Sequence, residues 1–294
     1  MDLFPGFTPV RLEIDGAVIN GVMGGSGPPV LLLHGYPQTH ATWHKIAPAL
    51  AQHHTVIATD LRGYGQSIAP PGATLVDFSK AAVAREQVAA MSALGFDRFA
   101  VVGHDRGGRV GYRMALEFPE LITAFASLTV IPTIEMWDRA GHGFAMQAYH
   151  WYFLAQPEDL PERLLAADPD YFLDYTLQRS VGDLAIFDAR ALESYRQAFR
   201  RPTVRHAMCQ DYRAAAGVDA ELDAADRAAG RHLACPLLIL WAQRRIATPG
   251  VETPLETWRR WADDVTGAPI ACGHYMQEEV PQKVAEKLLP FLRG

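Results

Sequence analysis

One short run, at 103–109, combines a reactive side chain with glycines on both sides. It reads Gly-His-Asp-Arg-Gly-Gly-Arg, follows an apolar segment and precedes a helix-forming stretch at 110–118. Small residues around Asp105 permit the sharp strand-to-helix turn that pushes one side chain into a site. An aspartate at a helix N-terminus is kept ionised by free backbone N–H groups, as a carboxylate nucleophile requires. The run therefore predicts a nucleophilic Asp105, with a helix N-cap as the alternative.

Two other segments could supply the rest of a hydrolytic site. The run His-Gly-Tyr-Pro at 34–37 follows an apolar stretch, so the backbone N–H groups of Tyr36 and Arg106 could form an oxyanion hole. The alternative is an ordinary His-Gly turn before a proline. His274 lies between the last predicted strand and the last predicted helix, where it could act as a general base. It competes with ten other histidines among the eleven of the chain.

Arg106 and Arg109 stand three residues apart at the start of the predicted helix and can share one face of it. Two guanidinium groups beside a carboxylate nucleophile could hold a substrate carboxylate in bidentate fashion. They would also offset the repulsion between Asp105 and an anionic substrate, which is about 4 kcal/mol for unit charges ~4 Å apart at an effective dielectric constant of ~20. The alternative is that these arginines form surface ion pairs.

Such residues need a scaffold that brings the ends of several strands together. Asp15-Gly16 separates two short β-patterned runs, which predicts a hairpin. Continuous apolar runs then alternate with helical stretches such as 80–94 and 281–292, a pattern typical of an α/β protein with a mostly parallel sheet and helices on both faces. The predicted strands are 10–14, 17–22, Pro29–Leu33, Thr55–Thr59, 98–102, 121–131, 236–241 and 267–271.

The stretch at 133–233 does not fit this alternation, because it is too long for one crossover connection. It has a helical pattern, many aromatic residues and several prolines. We interpret it as a helical cap inserted over the carboxyl edge of the sheet, with the core formed by 1–132 and 234–294. Most of its aromatic residues are expected to pack within the cap, and only a few to face a ligand.

Composition excludes several classes of protein. The 294 residues are 49% hydrophobic, with a formal net charge of −6, which argues against a nucleic-acid or anionic-membrane surface. Three cysteines without C-x-x-C spacing indicate neither a disulfide framework nor a zinc site. We find no signal peptide and no apolar run of membrane-spanning length. A cytoplasmic enzyme acting on a small molecule is therefore expected.

The sequence resembles the α/β-hydrolase superfamily along its whole length and, within it, the haloacetate dehalogenases. An aspartate between the elbow glycines is shared with epoxide hydrolases and haloalkane dehalogenases, which usually have tryptophan after the nucleophile. Arginine at that place, with a second arginine three residues later, is the haloacetate dehalogenase pattern. The matching stretches are 34–37, 60–65, 103–109, 150–153, 211–213 and 273–274.

The resemblance implies an α/β-hydrolase fold and the hydrolytic removal of halide from a small 2-haloacid, fluoroacetate or chloroacetate, through an ester on Asp105. Arg106 and Arg109 would hold the substrate carboxylate, and His274 would activate the water that cleaves the ester. No cofactor or metal is implied, and a homodimer is the usual state of the family. The halide would be held by N–H and O–H donors of three side chains, namely His150, Trp151 and Tyr212.

One position departs from the family pattern. The acid that orients the catalytic histidine follows the strand after the elbow, and this chain has Thr129 there. Threonine can accept a hydrogen bond from imidazole but cannot stabilise imidazolium by charge. The other usual place, after the next strand, has no carboxylate before Glu252, with Glu135 and Asp138 as weaker substitutes. Without such an acid we expect Asp105 to be alkylated while hydrolysis of its ester slows.

Two other functions stay open from the sequence. An epoxide hydrolase needs two phenols for ring opening, and activity on a neutral epoxide would favour it. A carboxylate-binding homologue without turnover is the reading that Thr129 favours, and binding without halide release would support it. The tyrosines that could supply the phenols are Tyr149, Tyr152, Tyr175 and Tyr212.

Overall fold

A computed structural model describes residues 3–243 and 252–293, and its centre is one eight-stranded sheet. The strands are β1 (Thr8–Ile14), β2 (Ala17–Gly25), β3 (Pro29–Leu33), β4 (Thr55–Thr59), β5 (Phe99–His104), β6 (Ile122–Leu128), β7 (Leu237–Ala242) and β8 (Val265–Ile270). Their spatial order is β1-β2-β4-β3-β5-β6-β7-β8. β2 pairs antiparallel with β1 and β4, whereas the remaining pairs are parallel. The predicted α/β class and mostly parallel sheet are confirmed.

Helices connect the strands and cover both faces of the sheet. Within the described residues they are α1 (Ala47–Leu50), α2 (Lys80–Ala93), α3 (Arg106–Glu117), α4 (Thr133–Asp138), α5 (His142–Gln147), α6 (Tyr149–Leu154), α7 (Leu160–Ala167), α8 (Pro169–Val181), α9 (Ala189–Phe199), α10 (Pro202–Ala216), α11 (Val218–Ala228), α12 (Pro254–Trp258), α13 (Met276–Glu279) and α14 (Pro281–Arg293). None of these described helices combines the length and the apolar character that crossing a membrane requires.

The central strands are buried because their apolar side chains alternate between two layers. In β3, Leu31 and Leu33 belong to the core on one face, and Val30 and Leu32 belong to the core on the other. A strand covered on both faces can be apolar throughout. The carboxyl ends of such parallel strands meet at one edge of the sheet, where the following loops converge on a site.

The predicted strands agree with the observed ones, apart from their ends. β3 and β4 have the predicted bounds, and β5 extends to the residue before Asp105. The strand predicted at 121–131 is too long, because β6 ends at Leu128. Its successor Thr129 has a φ of 66°, a left-handed conformation that does not continue a strand. This turn places Thr129 at the carboxyl edge of the sheet.

The eight helices α4 to α11 lie between β6 and β7, within the stretch that the sequence predicts as a cap. Trp151 of α6 and Tyr212 of α10 line the same cavity as Asp105. These inserted helices therefore cover the carboxyl edge of the sheet where β5 ends. The bounds of the cap, 133 and 233, stay a prediction.

Candidate active site

Asp105 lies at the turn between β5 and α3. Its backbone has a φ of 48° and a ψ of −115°, a conformation that residues with a side chain rarely adopt. Gly107 permits the turn, because a Cβ there would overlap the carbonyl oxygen of Leu33. The alternative of a helix N-cap is wrong, since the Asp105 side chain makes no capping hydrogen bond to α3. Its carboxylate instead faces a cavity, and strained backbone of this kind clusters at functional sites.

The two carboxylate oxygens of Asp105 have different neighbours. The backbone N–H of Tyr36 donates to Oδ1 at 3.0 Å, and Gly35 allows this approach because a Cβ there would overlap the Asp105 side chain. Nε2 of His274 lies 3.6 Å from Oδ2. The structure thus brings together three of the predicted components, namely the nucleophile, one oxyanion-hole amide and the histidine.

The surroundings of Asp105 favour its ionised form. Burial alone raises the pKa of a carboxyl group. Here the hydrogen bond and charge of His274, together with the charge of Arg106, outweigh burial and hold the pKa of Asp105 well below its usual range. Asp105 is therefore a carboxylate at neutral pH, as a nucleophile must be.

The second ring nitrogen of His274, Nδ1, has no hydrogen-bond partner among the residues that the structure describes. Its Nδ1 atom is buried without a hydrogen bond, and the buried Oγ1 of Thr129 is equally unpaired among the described residues. Both residues line the cavity. The position at which the resemblance implies an acid is therefore occupied by a hydroxyl that does not bind the imidazole.

The carboxylates considered as substitutes are engaged elsewhere. Glu252 pairs with Arg139 and Arg260, and Glu135 and Asp138 also pair with partly exposed arginines. None of the three hydrogen-bonds to Nδ1 of His274 in the described part of the chain. The segment at 244–251 lies outside the described residues, and its sequence contains neither Asp nor Glu.

His104, beside Asp105, contacts the backbone of His274. Burial lowers the pKa of His104 to about 3, so its ring is neutral. Its Nε2 donates to the backbone carbonyl of His274 at 2.9 Å, and its Nδ1 accepts from Nε2 of Gln277 at 3.2 Å. The two imidazole rings also pack with their centroids 4.8 Å apart. These contacts fix the backbone of His274 without supplying negative charge to its ring.

Arg109 lines the cavity next to Asp105, as predicted for a carboxylate-binding residue. It is only 2% exposed, and its Nη1 donates to Ile131 O at 3.0 Å and to Thr133 Oγ1 at 3.1 Å. Among the described residues it has no carboxylate within ion-pair distance, and its Nε has no hydrogen bond. A buried cation without a counter-ion is costly, so an anion in the cavity would be stabilised beside it.

Arg106 is placed differently. Its guanidinium lies 3.5 Å from the ring centroid of Tyr212, and its Nε lies 3.0 Å from Oδ2 of Asp211. It is fully buried and does not line the cavity, although its Nη1 and Nη2 have no hydrogen bond among the described residues. Its role in carboxylate binding stays a prediction, whereas its charge does stabilise the Asp105 carboxylate.

The three residues predicted to hold a halide form one aromatic cluster with Tyr36. The ring of Tyr212 lies 5.6 Å from His150 and 5.9 Å from Trp151. The ring of Tyr36 stacks on His150 at 5.7 Å and meets the edge of Tyr212 at 5.2 Å. All four line the cavity that contains Asp105. Their ring N–H and O–H groups are the donors available there for a leaving anion.

The cavity has a volume of about 520 Å³. Asp105 is the one acidic residue among those that line it, against two arginines and two histidines. Among the described residues, no group of histidines, cysteines and acids is arranged to hold a metal ion. The cavity is therefore suited to an anionic substrate.

Sequence reasoning did not give functions to two groups near this site. Asp211 belongs to a matched motif but was assigned no role, and it pairs with Arg106 and Lys80. The hydroxyl of Tyr36 was also unassigned, since only its backbone N–H was considered. That hydroxyl is buried at the cavity without a hydrogen-bond partner among the described residues. The presence of a tyrosine at position 36 was the feature of the sequence that could have indicated this hydroxyl.

The chain is similar in sequence to known α/β hydrolases. The sequence profile of the alpha/beta hydrolase fold matches residues 28–281. The chain is 40% identical to a fluoroacetate dehalogenase of a Burkholderia species, over 99% of this chain and 95% of that protein. It is 32% identical to a soluble epoxide hydrolase of Corynebacterium sp. strain C12, over 94% of this chain and 95% of that protein.

Solved structures agree with this fold. A Pseudomonas aeruginosa protein provisionally described as an epoxide hydrolase, in a threonine-to-aspartate variant with bound MFA, aligns with a TM-score of 0.96. It is 55% identical and covers 100% of this chain and 98% of that chain. The epoxide hydrolase CorEH aligns with a TM-score of 0.86 at 29% identity, over 97% of this chain and 98% of that chain.

Proposed function

This chain belongs to the α/β-hydrolase fold family and, within it, to the haloacetate dehalogenases, and on that premise we propose that it releases halide from small 2-haloacids by hydrolysis. For chloroacetate the products are glycolate, chloride and a proton. The proposal rests on one observation above others, the buried Arg109 beside Asp105 without a carboxylate partner among the described residues. A substrate carboxylate supplies that partner and directs the halogen-bearing carbon toward Asp105.

In the first step Oδ2 of Asp105 attacks the carbon that carries the halogen. A carbon–oxygen bond forms as the carbon–halogen bond breaks, and the halide leaves with the electron pair of that bond. His150, Trp151 and Tyr212 donate hydrogen bonds to the departing halide. The lowered pKa of Asp105 keeps the nucleophile ionised for this step.

In the second step a water molecule attacks the carbonyl carbon of the Asp105 ester. His274 takes a proton from that water, and the former Oδ1 becomes an oxyanion. The N–H of Tyr36, which already donates to Oδ1 at 3.0 Å, stabilises this charge together with the N–H of Arg106. Collapse of the intermediate breaks the bond between the Asp105 carbonyl carbon and Oδ2 of the ester, and the imidazolium gives its proton to the leaving oxygen, which becomes the hydroxyl of the hydroxyacid. The new Asp105 carboxyl group then loses a proton to solvent and is a carboxylate again.

Thr129 makes the second step the slower one. An imidazolium forms on His274 during hydrolysis, and no carboxylate in the described part of the chain hydrogen-bonds to its Nδ1 atom. In hydrolases with a complete triad the orienting acid is worth up to about 10⁴-fold in rate. The first step does not need His274 as a base, so alkylation of Asp105 proceeds while its ester accumulates.

An epoxide hydrolase is the second candidate, because Tyr149 and Tyr212 both line the cavity and could donate to an epoxide oxygen. The other two tyrosines considered for that role, Tyr152 and Tyr175, do not line it. Arg109 favours the haloacid, since a neutral epoxide leaves this buried cation without a carboxylate partner among the described residues.

The deciding experiment follows halide release per chain from fluoroacetate and chloroacetate to completion, with styrene oxide as the neutral competitor. Release of many halides per chain, or of about one followed by a slow phase, supports the proposal. No halide together with diol formation from the epoxide overturns it in favour of the second candidate. Binding of chloroacetate with neither product assigns the chain to carboxylate binding.

A further inference from the structure

One polar face of α8 forms part of the wall of the cavity. Thr176, Arg179 and Ser180 of this helix line the cavity, and their spacing puts them on one helical face. The end of α8 lies against the loop that carries His274, since a Cβ on Gly273 would lie 2.6 Å from the carbonyl oxygen of Ser180. This face therefore borders the same space as the reacting groups.

Arg179 is held in place without an acidic partner. Its guanidinium carbon lies 5.4 Å from the ring centroid of Tyr149 and 5.8 Å from that of Tyr175, and its Nη2 donates to Met146 O at 3.1 Å. Across residues 3–243 and 252–293 no carboxylate lies within ion-pair distance of Arg179. The two tyrosine rings and the carbonyl of Met146 orient the guanidinium group of Arg179, and its other N–H groups remain available to bind a ligand.

Two cations therefore line the cavity. Arg109 is buried beside Asp105, whereas Arg179 is exposed to solvent. A two-carbon haloacid would fill roughly a quarter of the 520 Å³, because a water-sized group takes up about 30 Å³. The polar face of α8 forms part of the wall around the remaining space.

We propose that the preferred substrates are 2-haloacids with a second carboxylate at the far end of the chain, held by Arg179 while Arg109 holds the first. This inference rests on the proposed function and names its substrate class. The reaction is the same hydrolysis: water replaces the halogen at carbon 2, and a 2-hydroxy dicarboxylate, halide and a proton result. The second carboxylate takes no part in bond breaking and contributes binding energy only.

The test compares 2-chlorohexanedioate with 2-chlorohexanoate, which has the same chain length and one carboxylate, with non-enzymatic release subtracted. We expect kcat/KM to be at least tenfold higher for the dicarboxylate, as one charge-assisted hydrogen bond provides. In Arg179→Gln this preference should fall about tenfold. Arg163→Gln is the matched control, because Arg163 is an exposed arginine of the cap helix α7 that does not line the cavity.

The outcomes separate this inference from the proposed function. Equal kcat/KM for both acids, or a preference that Arg179→Gln leaves intact, overturns the inference while chloroacetate turnover still supports the function. A preference lost equally in Arg163→Gln also overturns it, because the effect is then a general one of surface charge. The absence of halide from every substrate overturns the function itself.

Discussion

Nε2 of His274 lies 3.6 Å from Oδ2 of Asp105, while the Nδ1 atom on the other side of the same ring has no hydrogen-bond partner among the described residues. The imidazole of His274 therefore faces Asp105, but no carboxylate of the described residues hydrogen-bonds to its Nδ1 atom. This asymmetry separates the two proposed steps, because only ester hydrolysis passes through an imidazolium.

Replacing Thr129 by aspartate should accelerate the second step. A carboxylate there can accept from Nδ1 of His274 and stabilise the imidazolium, and aspartate tolerates the positive φ of 66° better than threonine does. We expect the steady-state rate on chloroacetate to rise between about tenfold and 10⁴-fold, with little change in the first turnover. Rapid-quench measurement of halide separates the two phases.

Thr129→Asn is the matched control for that variant. Asparagine has nearly the shape of aspartate and also adopts positive φ, but it carries no charge. Its steady-state rate should stay near that of the natural chain. Equal acceleration by asparagine and aspartate would show that backbone relief, rather than charge on His274, controls the step.

Arg109→Gln should weaken productive binding of haloacids. The loss of the buried guanidinium removes the proposed partner of the substrate carboxylate, so kcat/KM for chloroacetate should fall about 10²-fold, mainly through KM. Chloroacetamide, which lacks the negative charge, serves as the control substrate. A loss of the same size on the amide would indicate that the variant is damaged as a whole.

Tyr36→Phe tests the unpaired hydroxyl at the cavity. Its neighbours are the rings of His150 and Tyr212, so we expect the hydroxyl to donate to the departing halide. The first-turnover rate should fall about tenfold, more for fluoroacetate than for bromoacetate because fluoride depends more on such donors. Tyr152→Phe, at an exposed tyrosine outside the cavity, should change neither rate.

The first turnover should be insensitive to moderate acid. The pKa of Asp105 is held well below its usual value of about 3.9, so the nucleophile stays ionised from about pH 8 down to about pH 5. A first-turnover rate that falls tenfold or more over this range would contradict the assignment of Asp105.

The sequence predicted the scaffold because local patterns determine it. Apolar runs and glycines around Asp105 led to the strand–turn–helix, and the spacing of strands led to a mostly parallel sheet. The long strand predicted at 121–131 was wrong since nothing in its composition reveals the positive φ of Thr129.

The relative placement of side chains depends on packing between distant parts of the chain and was harder to predict from the sequence. Arg106 and Arg109 are equivalent in a helical projection, but Tyr212 covers Arg106 and leaves Arg109 at the cavity. Glu252 is a candidate by its position after β7, yet it pairs with Arg260 nearby and with Arg139, which is distant in sequence. An ion pair such as Glu252–Arg139 has no signature in local sequence.

The central claim is that Asp105 forms an ester that His274 helps to hydrolyse, and His274→Asn tests it most directly. The account predicts that this variant releases about one chloride per chain from chloroacetate and then stops, with one carboxymethyl group on the peptide that contains Asp105. Continued turnover without an adduct, or an adduct on another residue, would contradict it.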